Sequence, residues 1–113
     1  MKIVNVINAG TPANTNVTGT SFDLGDLTSY SIAVDFTDGA GNLAGTLTLE
    51  ASNDNSDFVT IVGSSQAVTS SQSHVWNVTG ASYRFVCPMW AYTSGTGNIK
   101  AKLVAKEQVI VGA

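Results

Sequence analysis

Hydrophobic and polar residues alternate clearly in two segments of the chain. Residues 30–37 place apolar side chains at every second position, namely Tyr30, Ile32, Val34 and Phe36. Residues 97–106 have the same spacing, with apolar residues at Ile99, Ala101, Leu103 and Ala105 and a largely basic second face at Lys100, Lys102 and Lys106. Because successive side chains of a strand point to opposite faces, both segments are predicted to be strands with one face in the core.

Further short runs of this kind, separated by turns rich in Gly, Asn and Ser, bring the tally to about eight strands. One of them, residues 45–51, turns Leu47, Leu49 and Ala51 to one side. The strands follow one another at spacings of roughly 8–12 residues, and no segment has helical periodicity. We therefore predict a single all-β domain over residues 1–113, folded as an antiparallel two-sheet sandwich of the jelly-roll type.

Two turn sequences predict hairpins. Asp38-Gly39 lies between the strands at 30–37 and 45–51, and Asp-Gly between two alternating runs is a strong hairpin signal. Residues 94–97, Ser-Gly-Thr-Gly, lie between residues 85–92 and the strand at 97–106. We expect each pair of strands to lie side by side in one sheet.

Residues 85–92 are apolar on both faces. One face carries Phe85, Cys87, Met89 and Ala91, and the other carries Val86, Pro88, Trp90 and Tyr92. A strand of this kind is normally covered on both sides, by its own domain and by something else. We expect the face with Cys87 to point into the core. Pro88 cannot donate a ladder hydrogen bond, so it predicts an edge or a bulge in this strand.

That orientation leaves a second apolar surface for a partner. Its contact residues are predicted to be Val86, Trp90 and Tyr92. Three large aliphatic residues near the end of the sequence, Val109, Ile110 and Val111, are predicted either to extend the last strand or to clasp a neighbouring subunit.

Charge and composition exclude several classes of function. Charged residues make up 12% of the chain, and the net charge of −3 argues against a general nucleic-acid binder. No run approaches the roughly 20 apolar residues of a membrane span, and residues 1–10 do not have the pattern of a signal peptide.

Seven of the eight acidic residues precede residue 60, while four of the five basic residues follow residue 80. This polarity suits either a head-to-tail contact between copies or a solvated basic face.

Catalysis and cofactor binding are not expected. The single histidine, His74, lies beside Trp76, and no nucleophile-elbow signature is present. The single cysteine, Cys87, is interpreted as a buried, inert thiol. Asn53, Asn55 and Asp57 in one turn, and the set Asp35, Asp38 and Asn42 near another, supply oxygen atoms that could hold calcium. Asn and Asp also bend chains by bonding their own backbone, which is the favoured interpretation, and no metal is predicted.

Aromatic side chains raise a further alternative. Trp90 and Tyr92, with Tyr83 nearby, could stack against sugar rings, since each combines an apolar face with a polar group. Tryptophan and tyrosine are also enriched in protein interfaces, so the pattern does not separate a glycan from a protein partner.

From residue 45 onward the sequence resembles a class of small bacteriophage virion proteins. The matching positions are Leu47, Leu49, Ala51, Ser52, Asn53, Asp54, Phe58, Gly63, Ser64, Ser65, Trp76, Tyr83, Arg84, Phe85 and residues 92–97. The resemblance implies a non-enzymatic capsid decoration or cement protein, or part of a head or tail appendage. Such a protein would be made in the cytoplasm of the bacterial host and assembled into the virion.

The resemblance also implies partners. It indicates binding to the major capsid protein or another virion protein, with a symmetric homo-oligomer such as a trimer favoured. The alternative is a carbohydrate-binding, discoidin-like module or a receptor-binding appendage domain, because the Ser52-Asn53-Asp54 turn before an aromatic strand is also similar to discoidin-type sandwiches.

Overall fold

The computed structural model of the protein describes residues 2–25, 27–39, 41–69 and 72–106. In these residues the chain is all β, with ten strands and no helix. The strands are β1 (Lys2–Pro12), β2 (Val17–Thr18), β3 (Phe22–Asp23), β4 (Ser29–Asp38), β5 (Ala44–Ser52), β6 (Val59–Thr60), β7 (Gln66–Val68), β8 (Gln72–Val78), β9 (Phe85–Ser94) and β10 (Gly97–Lys106).

The strands form two antiparallel sheets. The four-stranded sheet has the order β1-β10-β4-β8. In the six-stranded sheet β9 and β5 are central, with β2 and β3 beside β9 and β6 and β7 beside β5. Six of the nine connections between successive described strands cross from one sheet to the other, and only β2 to β3 and β5 to β6 to β7 stay in one sheet. This is the strand order of a jelly roll. The predicted all-β sandwich is therefore confirmed.

The core lies between the two sheets and is built from the predicted alternation. In β4, the side chains of Ile32 and Val34 are completely buried, and β10 buries Leu103 opposite Ile32. The side chains between them point to the solvent, among them Lys100 and Lys102. The inward faces of residues 30–37 and 97–106 are as the sequence predicted, because in each segment only one of the two faces is apolar.

Both predicted hairpins are wrong. β4 and β5 lie in different sheets, and so do β9 and β10. The two turns meet instead: the Gly39 N–H donates to the Thr96 carbonyl oxygen at 2.8 Å, and a Cβ at Gly95, where φ is +85°, would overlap the Asn42 carbonyl oxygen. A glycine-rich turn fixes a reversal of the chain, but it does not fix whether the next strand returns beside its predecessor or crosses to the opposite sheet.

Pro88 has a different effect from the one predicted. It lies in a central strand, opposite Leu49 of β5, rather than at an edge. On its other side the Gly19 N–H donates to the Pro88 carbonyl oxygen at 2.9 Å, and a Cβ at Gly19 would lie 2.7 Å from the proline ring. The N–H and C=O of a strand residue point to the same side, so the missing donor faces this neighbour. The neighbouring strand is accordingly divided into β2 and β3.

Candidate functional site

The structure places two of the predicted contact residues in the core. Val86 and Trp90 have 0% and 1% of their surface exposed. They lie opposite Ala51 and Leu47 of β5, and these cross-strand pairs share the inner face of the six-stranded sheet. The predicted orientation of residues 85–92 is therefore wrong. Neither Val86 nor Trp90 can reach a partner in the folded chain.

The surroundings of Trp90 explain why it points inward. Its indole N–H donates to the Ala13 carbonyl oxygen at 2.8 Å, and its ring centre lies 4.7 Å from that of Phe36. Gly45 leaves room for the ring, since a Cβ there would lie 2.7 Å from Trp90 Cζ2. A large aromatic side chain with its polar atom satisfied is most stable in this position. The predicted sugar-stacking platform is wrong for Trp90 for the same reason.

Tyr92 lies at the margin of the core. Its side chain is partly buried, and its hydroxyl donates to the Gly95 carbonyl oxygen at 2.8 Å. Its backbone N–H donates to Asn16 Oδ1, also at 2.8 Å. Tyr92 therefore holds the 94–97 turn, and its contact with a partner stays a prediction. The other predicted contact residues, Val109, Ile110 and Val111, lie outside the described residues.

The opposite face of β9 is the one that meets the solvent. Ala91 is exposed, and Phe85 and Met89 are partly exposed. We call these three residues the outer apolar row. Thr46 and Thr48 of β5 lie directly beside Ala91 and Met89, so this end of the row has uncharged neighbours. At the other end, Asp23 is the register partner of Phe85, and the Arg84 guanidinium lies 5.1 Å from the centre of the Phe85 ring. The sequence shows that residues 85–92 have two apolar faces, but it does not show which of them points inward. The pairing of Trp90 with the buried Leu47 decides this orientation.

A loop covers the fourth residue of this face, Cys87. The Ser21 hydroxyl donates to Asn55 Oδ1 at 2.8 Å. Ser21 precedes the inward-facing Phe22 on one side of β9, while Asn55 follows β5 on the other side. The hydrogen bond therefore passes over β9 beside Cys87, which is buried. Burial, with a smaller effect of the Glu50 charge, raises the pKa of the Cys87 thiol to about 11. The predicted buried thiol is confirmed, although on the outer face.

Asp54 organises this loop. One carboxylate oxygen, Oδ1, accepts hydrogen bonds from the Asp57 N–H and the Ser56 N–H, both at 2.9 Å, and from the Ser52 hydroxyl at 2.8 Å. These bonds, the backbone ones first, lower the pKa of Asp54 to about 2. In the described part of the chain no three His, Cys, Asp or Glu side chains are grouped so that they could hold a metal ion. The loop is a turn of the kind in which a carboxylate bonds its own backbone.

Asp35, from the second set of predicted oxygen ligands, is engaged elsewhere. Asp35 accepts a hydrogen bond from the Ser73 hydroxyl and lies 3.9 Å from Lys100 Nζ. Lys100, Lys102 and Asp35 line a groove of about 390 Å³ on the outer face of the four-stranded sheet. This face is basic along β10, whereas the 52–57 loop on the other sheet is acidic. A head-to-tail contact that uses this difference stays a prediction.

His74 lies on the inner face of β8, opposite Val34. Its ring meets the ring of Trp76 edge-on, with 5.0 Å between the centres. Its Nε2 atom is buried and has no hydrogen-bond partner among the residues that the structure describes. The geometry supports the predicted structural position beside Trp76.

The sequence matches no protein-family model, and no curated protein matches it. Solved structures do share its fold. The SPBc2 prophage-derived protein YomS has a TM-score of 0.58 at 15% identity, with 90% of each chain covered. A chain of infectious bursal disease virus, Gx strain, has a TM-score of 0.56 at 12% identity; the match covers 90% of the present chain but 30% of the viral one. A chain of the disulfide-linked pili of Bacillus endospore appendages has a TM-score of 0.51 at 12% identity, with 95% and 88% covered.

These similarities are at low identity and concern the fold. They place the chain among two-sheet β proteins that include a prophage-encoded protein, a chain from a virus structure and a pilus. Across residues 2–25, 27–39, 41–69 and 72–106 there is no helix that is both long and apolar enough to cross a membrane.

Proposed function

We propose that this protein is a non-enzymatic structural component of a phage particle, a capsid decoration or cement protein that binds the major capsid protein or another virion protein. The observation that carries the proposal is the outer apolar row, in which a central strand turns Phe85, Met89 and Ala91 to the solvent, with uncharged threonines beside Met89 and Ala91. The resemblance of residues 45–106 to phage virion proteins and the shared fold with YomS support it.

The outer apolar row suits a rigid protein partner. β9 is bonded on one side to β5 along residues 85–94 and on the other to β2 and β3, so the backbone that carries its outer side chains is held in place before binding. Burial of apolar surface contributes roughly 25 cal/mol per Å², from which the costs of association are subtracted. Because the strand backbone is already ordered, little of this gain is lost in fixing the chain. The partner's matching surface should be flat and apolar where it meets Met89 and Ala91.

The assembly is proposed to be a symmetric homo-oligomer on the particle. In this assembly the residues at Val109, Ile110 and Val111 would clasp a neighbouring subunit, since three consecutive large aliphatic side chains are costly to expose. Particle binding itself is assigned to the outer apolar row.

The test compares one substitution on each outer face. Ala91→Glu places a charge in the outer apolar row, and Ala33→Glu places the same charge on the exposed outer face of the four-stranded sheet. Co-sedimentation with phage particles that lack the native protein measures binding. We expect Ala91→Glu to reduce binding at least tenfold, because a charge buried against an apolar surface is unpaired, while Ala33→Glu binds normally. Equal binding by the two folded variants would contradict the proposal.

A further inference from the structure

The edge strands of the two sheets differ in how well they are protected against pairing with another chain. An edge strand presents a row of unpaired N–H and C=O groups, and natural proteins block such rows with short strands, bulges, proline or charge. In the six-stranded sheet the strands at the edges are two or three residues long. In the four-stranded sheet β1 is long, but its register with β10 shifts at two places, between Asn5 and Ile7 and between Ile7 and Thr11, and it ends in Pro12.

The free side of β1 is also partly used by its own chain. The Thr20 N–H donates to the Val6 carbonyl oxygen at 2.8 Å. With two bulges, a terminal proline and this crossing segment, β1 does not offer a regular row of free backbone groups.

β8 has none of these protections. It is seven residues long, it contains no proline and no acidic or basic residue other than His74, and its register with β4 runs without a shift from Val78 to Gln72. In the part of the chain that the structure describes, β4 is its only paired strand, and no other backbone hydrogen bond reaches it. Seven residues at roughly 3.4 Å each make an open edge of about 24 Å.

On the outer face of β8, two polar residues lie symmetrically about the midpoint of the strand. Val75, the fourth of the seven residues, is 51% exposed on the outer face and is one of the few large apolar side chains there. It is flanked by two polar residues, Ser73 and Asn77, on the same face. His74 and Trp76 flank it on the inner face.

We propose that β8 pairs antiparallel with β8 of a second copy of this chain, centred on Val75, so that the two four-stranded sheets join into one of eight strands. In this register Val75 faces Val75 of the partner subunit, and each Ser73 faces an Asn77 across the ladder. β8 carries no Asp, Glu, Lys or Arg, so this pairing places no like charges opposite each other. Like charges in such positions would be destabilising. The pairing forms roughly six to eight backbone hydrogen bonds.

The symmetry of this contact has a consequence for binding. The two-fold axis stands perpendicular to the joined sheet, since antiparallel neighbours in one sheet are related in that way. The two six-stranded sheets then lie on the same side, and both outer apolar rows point in the same direction. A pair of this kind presents two copies of the row to one surface, and two linked contacts bind more tightly than one. The pairing itself is independent of the proposed role in a phage particle.

The test uses three substitutions of exposed valines. Val75→Lys and Val75→Glu each place like charges opposite each other at the two-fold axis, whereas Val62→Lys adds the same charge at a 99% exposed position in the turn between β6 and β7, outside β8. Light scattering coupled to size exclusion, over a dilution series, gives the mass. We expect the native chain and Val62→Lys to have twice the chain mass of 11.7 kDa, and each Val75 variant to have the single-chain mass.

Mixing the two Val75 variants provides the decisive outcome. A lysine opposite a glutamate restores the pair, so the mixture should recover the doubled mass, which loss of folding could not produce. Circular dichroism on each variant alone confirms that it is folded. A single-chain native protein, an unchanged mass of Val75→Lys, or no recovery on mixing would overturn the proposal. Ala91→Glu should leave the mass unchanged, which separates this contact from particle binding.

Discussion

The two flanks of the sandwich are closed in different ways. At the β1 flank the backbone itself joins the sheets, through the hydrogen bond from Thr20 to Val6, and the Trp90 indole adds its bond to Ala13. At the β8 flank the bonds between the sheets that the described residues make come from side-chain donors: the Trp76 indole N–H donates to the Ser64 carbonyl oxygen at 3.0 Å, and Gln72 Nε2 donates to the Ala67 carbonyl oxygen at 3.4 Å. Where backbone groups of the edge strand are already bonded, as in β1, the strand offers no regular edge to another chain. Where side chains join the sheets, as at β8, the backbone groups of the edge strand stay free to pair with another strand.

The largest expected effect comes from Trp90→Ala. The substitution removes a fully buried indole from between the sheets and leaves the Ala13 carbonyl oxygen without its donor. We expect the free energy of unfolding to fall by about 3–5 kcal/mol, the usual range for a buried aromatic residue replaced by alanine. Urea denaturation followed by circular dichroism measures it. A loss below that of Trp76→Ala would contradict the central position of Trp90.

Trp76→Ala should have a smaller effect. Trp76 lies on an edge strand with 8% of its surface exposed, so part of the space it vacates opens to water. We expect a loss of about 2–3 kcal/mol, below the usual range for a fully buried tryptophan. The same denaturation experiment gives the value, and Trp76→Phe, which keeps the aromatic packing but not the bond to Ser64, separates the two contributions.

Ser64→Ala tests the hydrogen bonds that the hydroxyl of Ser64 makes, and it keeps the carbonyl oxygen that Trp76 binds. The buried Ser64 hydroxyl accepts a hydrogen bond from the Leu49 N–H at 3.1 Å and donates to the Ile61 carbonyl oxygen at 2.7 Å. Removing it leaves the Leu49 N–H without this acceptor, which costs about 1–3 kcal/mol, while the Ile61 carbonyl oxygen keeps its bond from the backbone N–H of residue 64. Ser65→Ala, at an exposed neighbouring position, is the matched control and should leave the unfolding free energy nearly unchanged.

The smallest effect is expected from Asp54→Asn in the 52–57 loop, which lies beside Cys87. The pKa of Asp54 is lower in the folded chain, about 2, than its ordinary value of 3.8, so its ionised form stabilises the fold. This stabilisation is fully present above pH 4 and is lost as the pH falls towards 2. Asp54→Asn should lower the melting temperature slightly at neutral pH and not at pH 2. Asp57→Asn keeps the N–H that Asp54 accepts from and should behave like the native chain.

How much of the fold the sequence could predict depended on whether the two faces of a strand differ. Residues 30–37 and 97–106 have one apolar face each, and both the strands and their orientation were predicted. Residues 85–92 are apolar on both faces, so periodicity predicted a strand but could not orient it. The deciding contacts are with Leu47, about forty residues earlier in the chain, and such distant pairs leave no local signal.

The same limit applies to the candidate site. Val86 and Trp90 were chosen for a surface because they are large and apolar, which is also what the core requires. The outer apolar row could be recognised only after the pairing of β9 with β5 was known. The turns at 38–39 and 94–97 were found correctly, but the sheet that each following strand joins is decided by long-range packing rather than by the turn residues.

Pro88 reduces the number of sheet edges at which this protein can pair with another chain. By dividing its neighbour into two strands of two residues each, it leaves that border of the sandwich unable to template another chain. Subunits that can pair at two borders add to one another without end and grow into fibres, whereas subunits with one available border stop at a closed pair. With β8 as that border, Pro88 acts together with the irregular β1 and the short strands β6 and β7 to limit the proposed assembly to a closed pair.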